Sequence, residues 1–145
     1  MSGKIERTLF MVKPDAVGRG LIGRILARVE ADGFKVAGMS MVRLDKDLAR
    51  RFYHVHEGRP FFDSLVAFMS SGPTAAFALE KEGAIARLRV LVGETDPAKA
   101  AAGTIRRDFG LDKEKNSVHA SDAPETAEWE LRFFTDNGLL SMPVP

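Results

Sequence analysis

Thr8–Lys13 reads TLFMVK, an apolar run with almost no polar break, as expected of a central strand covered on both faces. Pro14 ends it. Leu21, Ile22, Ile25, Leu26 and Val29 then recur at helical spacing, with Arg24, Arg28 and Glu30 opposite and Gly33 placed to stop the helix. Phe34–Leu44 alternates every second residue and is rich in branched side chains, which predicts a second strand. Two short helices follow, Asp45–His54 and Pro60–Met69, the second with Phe61, Leu65 and Phe68 in one stripe. The turn Ser71-Gly72-Pro73 introduces a third strand, Thr74–Glu80, and Gly83–Val92 reads as a helix. Gly93–Lys115 shows no period and is dotted with Gly and Pro; a long stretch of that kind inside a compact domain usually carries function. Ser117–Ser121 predicts a short fourth strand. Asp122, Pro124 and Glu125 supply a cap, a first-turn proline and an acid for a last helix through Phe134.

Four strands alternating with helices, two of them inserted, predict an α+β fold. The expected form is the ferredoxin-like split βαβ sandwich, a four-stranded antiparallel sheet with helices packed on one side. No repeat, low-complexity tract or linker divides residues 1–145, so one domain is expected. Composition narrows the function classes. Cysteine is absent, which removes disulfides, thiol nucleophiles and thiolate metal sites. With 21 Lys+Arg against 20 Asp+Glu the net charge is +1, so nothing advertises a specific nucleic-acid partner. The longest apolar runs, such as Leu9–Val12, fall far short of the ~20 residues that cross a bilayer. The start MSGKIERT has no apolar stretch of a secretory signal. No membrane partner and a cytoplasmic location are expected.

Gly18-Arg19-Gly20-Leu21-Ile22-Gly23 spells G-x-G-x-x-G between a strand and a helix, the setting of a dinucleotide-binding turn. Five residues, Lys13 to Val17, separate the strand from the first glycine, whereas that turn must follow the strand directly. The same stretch misses a P-loop because Arg24 and Ile25 stand where a Lys and a Ser or Thr are needed. A turn, a helix start and close packing account for these glycines.

Without cysteine, the three histidines are the best candidates for a nucleophile or base. His119 lies in Asn116-Ser117-Val118-His119-Ala120-Ser121-Asp122, between a short strand and a helix start. This stretch resembles the N-x-x-H-G-S-D signature of the nucleoside diphosphate kinases, with Ala120 in place of the glycine. Other blocks match in order: Thr8–Asp15 resembles the family's first strand and K-P-D turn, and Phe52-Tyr53 with His56–Phe62 its nucleotide-gripping helix pair. Gly93–Pro97 and Gly103–Phe109 are similar to the loop that completes its site.

The resemblance implies a nucleoside-diphosphate kinase that moves the γ-phosphoryl group between nucleotides through a phosphohistidine at His119. It implies that Glu130 and Ser121 orient the imidazole, although Glu130 by itself reads more readily as a solvated helix charge. Lys13, Tyr53, Arg59, Arg89, Thr95 and Arg106 map onto the family's phosphate and ribose contacts. The residue types suit the chemistry, because phosphoryl transfer is eased by positioned cations and hydroxyls and Arg offers phosphate a bidentate fork. Arg87 and Arg107 compete with Arg89 and Arg106 in register. Asn116 maps to a sugar contact, Phe61 to the base-stacking ring and Leu65 to the base pocket. Phe61 could equally be core, since Phe62 adjoins it and Leu65 shares its stripe. A stacking platform tolerates any base, because every base has a π-face.

Mg²⁺ is implied as a cofactor riding on the nucleotide phosphates, with no dedicated metal site and at most Asp122 reaching it through water. A homo-oligomer, hexamer before tetramer, is implied as well. Trp129 and Phe133 form a second apolar face on the last helix, to be covered by the tail from Leu139 to Pro145 or by another subunit. Two departures stand out. Ala120 adds a methyl that would cost stability if the backbone there had positive φ, and Leu111–Lys115 is charged where the family has an apolar lid over the base. The alternative function is a nucleotide-binding or regulatory module that keeps the fold without catalysis.

Overall fold

The structure, a computed structural model, describes residues 4–142. In chain order the elements are β1 (Ile5–Val12), α1 (Pro14–Gly18), α2 (Ile22–Ala31), β2 (Lys35–Val42), α3 (Lys46–Phe52) and α4 (Phe62–Met69). They continue with β3 (Thr74–Glu82), α5 (Ala84–Val92), α6 (Ile105–Phe109), β4 (Val118–Ala120) and α7 (Pro124–Asp136). β1 pairs antiparallel with β3 and β4, and β2 antiparallel with β3. The order across the sheet is β2-β3-β1-β4. Each crossover, β1 to β2 and β3 to β4, therefore skips one strand that runs the other way, which is the split βαβ arrangement.

Helices cover both faces of this sheet, where one-sided cover was expected. Leu9 and Met11 of β1 and Ala76 and Ala78 of β3 face a layer built from α3, α4 and α7. Phe10 and Val12 with Phe77 and Leu79 face a layer built from α1, α2 and α5. The reason lies in β1: residues 8–12 are all buried, so both sides of the strand must be kept from water. Phe134, fully buried, seats α7 on the first layer against Phe52, their rings 5.4 Å apart.

Three local differences from the sequence pattern have simple causes. Pro14 ends β1 as the first residue of a five-residue helix, a position that suits its fixed φ and missing N–H. The three glycines then shape a corner between two helices: Gly18 closes α1, Gly20 takes φ 72° and Gly23 lies in α2. At α7 the cap position falls on Ala123, extended and without a side-chain bond, so Asp122 is not used as the cap.

After α7 the chain crosses the face of β2 on the α7 side. Ser40 Oγ donates to the Leu139 carbonyl at 2.5 Å and Leu140 is buried. A Cβ on Gly38 would stand 2.8 Å from the Ser141 carbonyl oxygen, so this crossing needs glycine. Leu139–Met142 therefore does not cover Trp129, which stays 40% exposed and stacks on the buried Phe133 at 5.3 Å. Residues 143–145 lie outside the described residues. Among the described residues no helix is long and apolar enough to cross a membrane.

Candidate active site

β4 places His119. Val118 and Ala120 point into the layer of α2 and α5, so the alternation of a strand sends the intervening imidazole to the opposite face. There, opposite Met11 in the register, it meets Phe52 edge-on at 5.4 Å and Tyr53 at 6.1 Å. Glu130, buried on α7, sets its Oε1 2.9 Å from His119 Nε2, and Ser121 Oγ donates to the same oxygen at 2.6 Å. An ionised carboxylate only accepts hydrogen bonds, so Nε2 carries the ring proton and Nδ1 keeps its lone pair. Rotation is blocked by the aromatic neighbours and tautomer by the carboxylate.

The backbone around this strand carries its strain one turn earlier. Ser117 is the one non-glycine residue among those described with positive φ, at 75°. Its N–H donates to Asp15 Oδ2 at 3.2 Å, and its carbonyl accepts from the Lys13 N–H at 2.8 Å. Ala120 lies inside β4 without positive φ, and its methyl is buried in the core. The glycine of the signature is therefore not required here for backbone reasons.

Cations stand around the same end of the sheet. Lys13 Nζ donates to Asn116 Oδ1 at 2.9 Å, and burial first, then the Arg106 charge, lowers its pKa to about 8. Arg106 is held by two carbonyls, Gly93 at 3.1 Å from Nη1 and Val118 at 2.9 Å from Nη2. Burial and the neighbouring Arg89 bring its pKa down to about 10. Arg89 reaches the Ala120 carbonyl, 3.4 Å from Nη1. Tyr53 is buried, and desolvation together with the Glu130 charge raises its phenol pKa, so it stays neutral and able to donate. Tyr53 Oη and Arg106 Nε, like the hydroxyls of Thr8 and Thr74 elsewhere, are buried with no hydrogen-bond partner among the described residues. Asn116 Nδ2 donates to the Thr95 and Lys113 carbonyls, both at 3.0 Å.

The neighbouring candidates take different places in the fold. Arg87 leaves the site to pair with Asp32 at 2.6 Å, and Arg107 donates to the Ala98 carbonyl on the surface. Phe62 enters the core, while Phe61 stays 46% exposed beside His56, ring centroids 5.2 Å apart. Leu65 is buried in the α3–α4 layer. Thr95 and Arg59 have exposed side chains; the Arg59 charge, after burial, lowers the pKa of His56. The irregular segment 93–115 contains α6, which carries Arg106. Sequence pattern gives Asp15 and His56 no role of their own. Their signals are positional, an acid two residues after Lys13 and a histidine three after Tyr53.

An imidazole braced by a carboxylate amid buried cations, on a ferredoxin-like sheet, has the layout of a phosphotransferase. Comparison with known proteins agrees. The family model described as nucleoside diphosphate kinase matches residues 6–138. The nucleoside diphosphate kinase of Geobacter sp. (strain M21) is 53% identical over 130 residues, 90% of this chain and 95% of that protein. Among solved structures, the halophilic nucleoside diphosphate kinase of Halobacterium salinarum in complex with CDP superposes with a TM-score of 0.90 at 44% identity, covering 98% of this chain and 95% of that one. The Aquifex aeolicus nucleoside diphosphate kinase gives 0.88 at 48% identity over 90% of this chain and 95% of its own. The chain belongs to the nucleoside diphosphate kinase family.

Proposed function

We propose that this phosphotransferase moves the γ-phosphoryl group of a nucleoside triphosphate to a nucleoside diphosphate in two steps through His119. The braced imidazole carries the reading: Nε2 is tied to Glu130 at 2.9 Å, which leaves the Nδ1 lone pair as nucleophile. In the first step Nδ1 attacks the γ-phosphorus, the bond to the β–γ bridging oxygen breaks, and the diphosphate leaves with that electron pair. In the second, a terminal phosphate oxygen of another diphosphate attacks the same phosphorus, the N–P bond breaks, and Nδ1 recovers its lone pair. Glu130 stabilises the positive charge that develops on the ring, and Ser121 holds the carboxylate in place.

Lys13, Arg106 and Arg89 are read as the phosphate cradle, with Tyr53 Oη and Arg106 Nε as donors that a polyphosphate would satisfy. Arg59 and Thr95 would bind at its edge, Asn116 at the sugar, and Phe61 with Leu65 at the base. Stacking on Phe61 without readers of the base edge fits a site open to every base.

Mg²⁺ fits as a companion of the nucleotide. Among the described residues no group of three or more acidic or histidine side chains could hold a metal ion, whereas the cationic cradle suits phosphates already carrying one. Bound there, the ion would neutralise phosphate charge, with exposed Asp122 available through water. The reading further takes the enzyme to be cytoplasmic and a homo-oligomer, hexamer before tetramer.

Incubation with ATP labelled at the γ position tests the chemistry. Label should appear on the protein, labile to acid and stable to alkali, as a phosphoramidate is. His119→Ala should lose both label and phosphotransfer, and His54→Ala should keep both. Substantial activity in His119→Ala would end the mechanism.

A further inference from the structure

The charged loop Leu111–Lys115 folds tightly on itself. Asp112 Oδ1 accepts from the Glu114 and Lys115 N–H groups at 3.0 and 2.7 Å, and the Leu111 N–H donates to the Lys115 carbonyl at 2.8 Å. Its outward groups reach three parts of the site. The Lys113 carbonyl accepts from Asn116 Nδ2 at 3.0 Å, and the Glu114 carbonyl accepts from Lys13 Nζ at 3.4 Å. Glu114 Oε2 accepts from Ser64 Oγ on α4 at 2.8 Å. Among the described residues this last bond is the only side-chain hydrogen bond between the α3–α4 segment and the stretch from Gly93 to Ser117.

Ser64 follows Phe61 by three residues and precedes Leu65. On the reading above, Phe61 and Leu65 line the base end of the cleft and Lys13 its phosphate end. We propose that the Ser64–Glu114 pair is a clasp that sets the spacing between α4 and the 111–115 loop, and so makes Glu114 and Ser64 positioning residues for the nucleoside. An apolar lid would hold a base by direct contact. Here a polar bond joins the walls on either side of it, and the Glu114 carbonyl that faces Lys13 belongs to the backbone, which a side-chain change leaves in place.

The pair is solvent-exposed, so it adds little to the stability of the fold, and variants at either position should fold. Its effect belongs to binding: a slot held at the right width costs less ordering when the base enters. The inference rests on the proposed nucleotide site, and the experiment separates the two. Affinity for ADP is measured by calorimetry, and phosphorylation by phosphoramidate, a donor with no base, is measured beside it. Ser64→Ala and Glu114→Ala should each weaken ADP about fivefold, the worth of one modest hydrogen bond. The double variant should be no weaker than either single one, because both remove the same bond. Glu114→Gln keeps an accepting oxygen and should restore most of the affinity, and labelling by phosphoramidate should be unchanged throughout. Unchanged ADP affinity in the single variants, additive losses, or a parallel loss of phosphoramidate labelling would overturn the clasp. A wild-type protein that binds ADP but takes label from neither donor would overturn the phosphohistidine and leave the clasp standing.

Discussion

Lys13 shows how one buried residue makes the site sensitive to pH. Burial and Arg106 lower its pKa to about 8, while Asp15, Glu114 and Asp112 pull in the other direction. A phosphate cradle needs the ammonium form, so kcat/KM for a nucleoside triphosphate should fall above about pH 8 with a one-proton slope. A bound polyphosphate favours the charged form, so ADP binding near about pH 8.5 should take up a proton, seen as a buffer-dependent heat in calorimetry. A profile flat to about pH 10 would remove Lys13 from the phosphate site. Stability runs the opposite way. Between the folded value of about 8 and the ordinary 10.5, the unfolded chain holds more protons at this position, so this contribution to stability rises with pH across that window. At this scale the sequence is most informative where residue type and spacing act together, as around His119. It is least informative where an atom's partner lies far along the chain, as with Ser64 and Glu114.

The element that most directly shapes the catalytic pair is α7, because Glu130 and the buried Phe134 are carried on the same helix. Phe134 is fully buried against Phe52, and Phe52 in turn touches His119. Phe134→Ala should cost about 3–5 kcal/mol of stability by urea unfolding, and should lower kcat by loosening the brace. An unchanged urea midpoint would mean that α7 is seated by other contacts. The longer helices and β2 are readable because apolar residues repeat at a fixed period in each, and β1 because its apolar run is unbroken. α1 and α6 have five residues each, too few to show a period, and so pass for loop. Helices on one side only do not fit the unbroken apolar run of β1, which calls for cover on both faces and is buried throughout from Leu9 to Val12.

On the scale of the whole molecule, one side of the sheet ends in β2, which pairs only with β3 among the described strands. Met39 and Met41 on it are 61% and 55% exposed, on the face away from Ser40. The exposed methionines of this edge strand and the half-open Trp129 on α7, on opposite sides of the sheet, are two apolar patches that water disfavours and other subunits could cover. Light scattering at micromolar concentration should therefore report a multiple of the 15.9 kDa chain, near six copies or else four. A mass near 16 kDa would refute the assembly and leave the histidine chemistry untouched. The sheet order also bears on how the protein is made. β4, which bears His119, pairs among the described strands only with β1, roughly a hundred residues earlier, a contact of high sequence separation that waits until both segments have been made. Glu130 arrives later still, on α7. A growing chain that has not yet released α7 therefore has no brace on its imidazole, and on the proposed mechanism it cannot yet draw on nucleoside triphosphates.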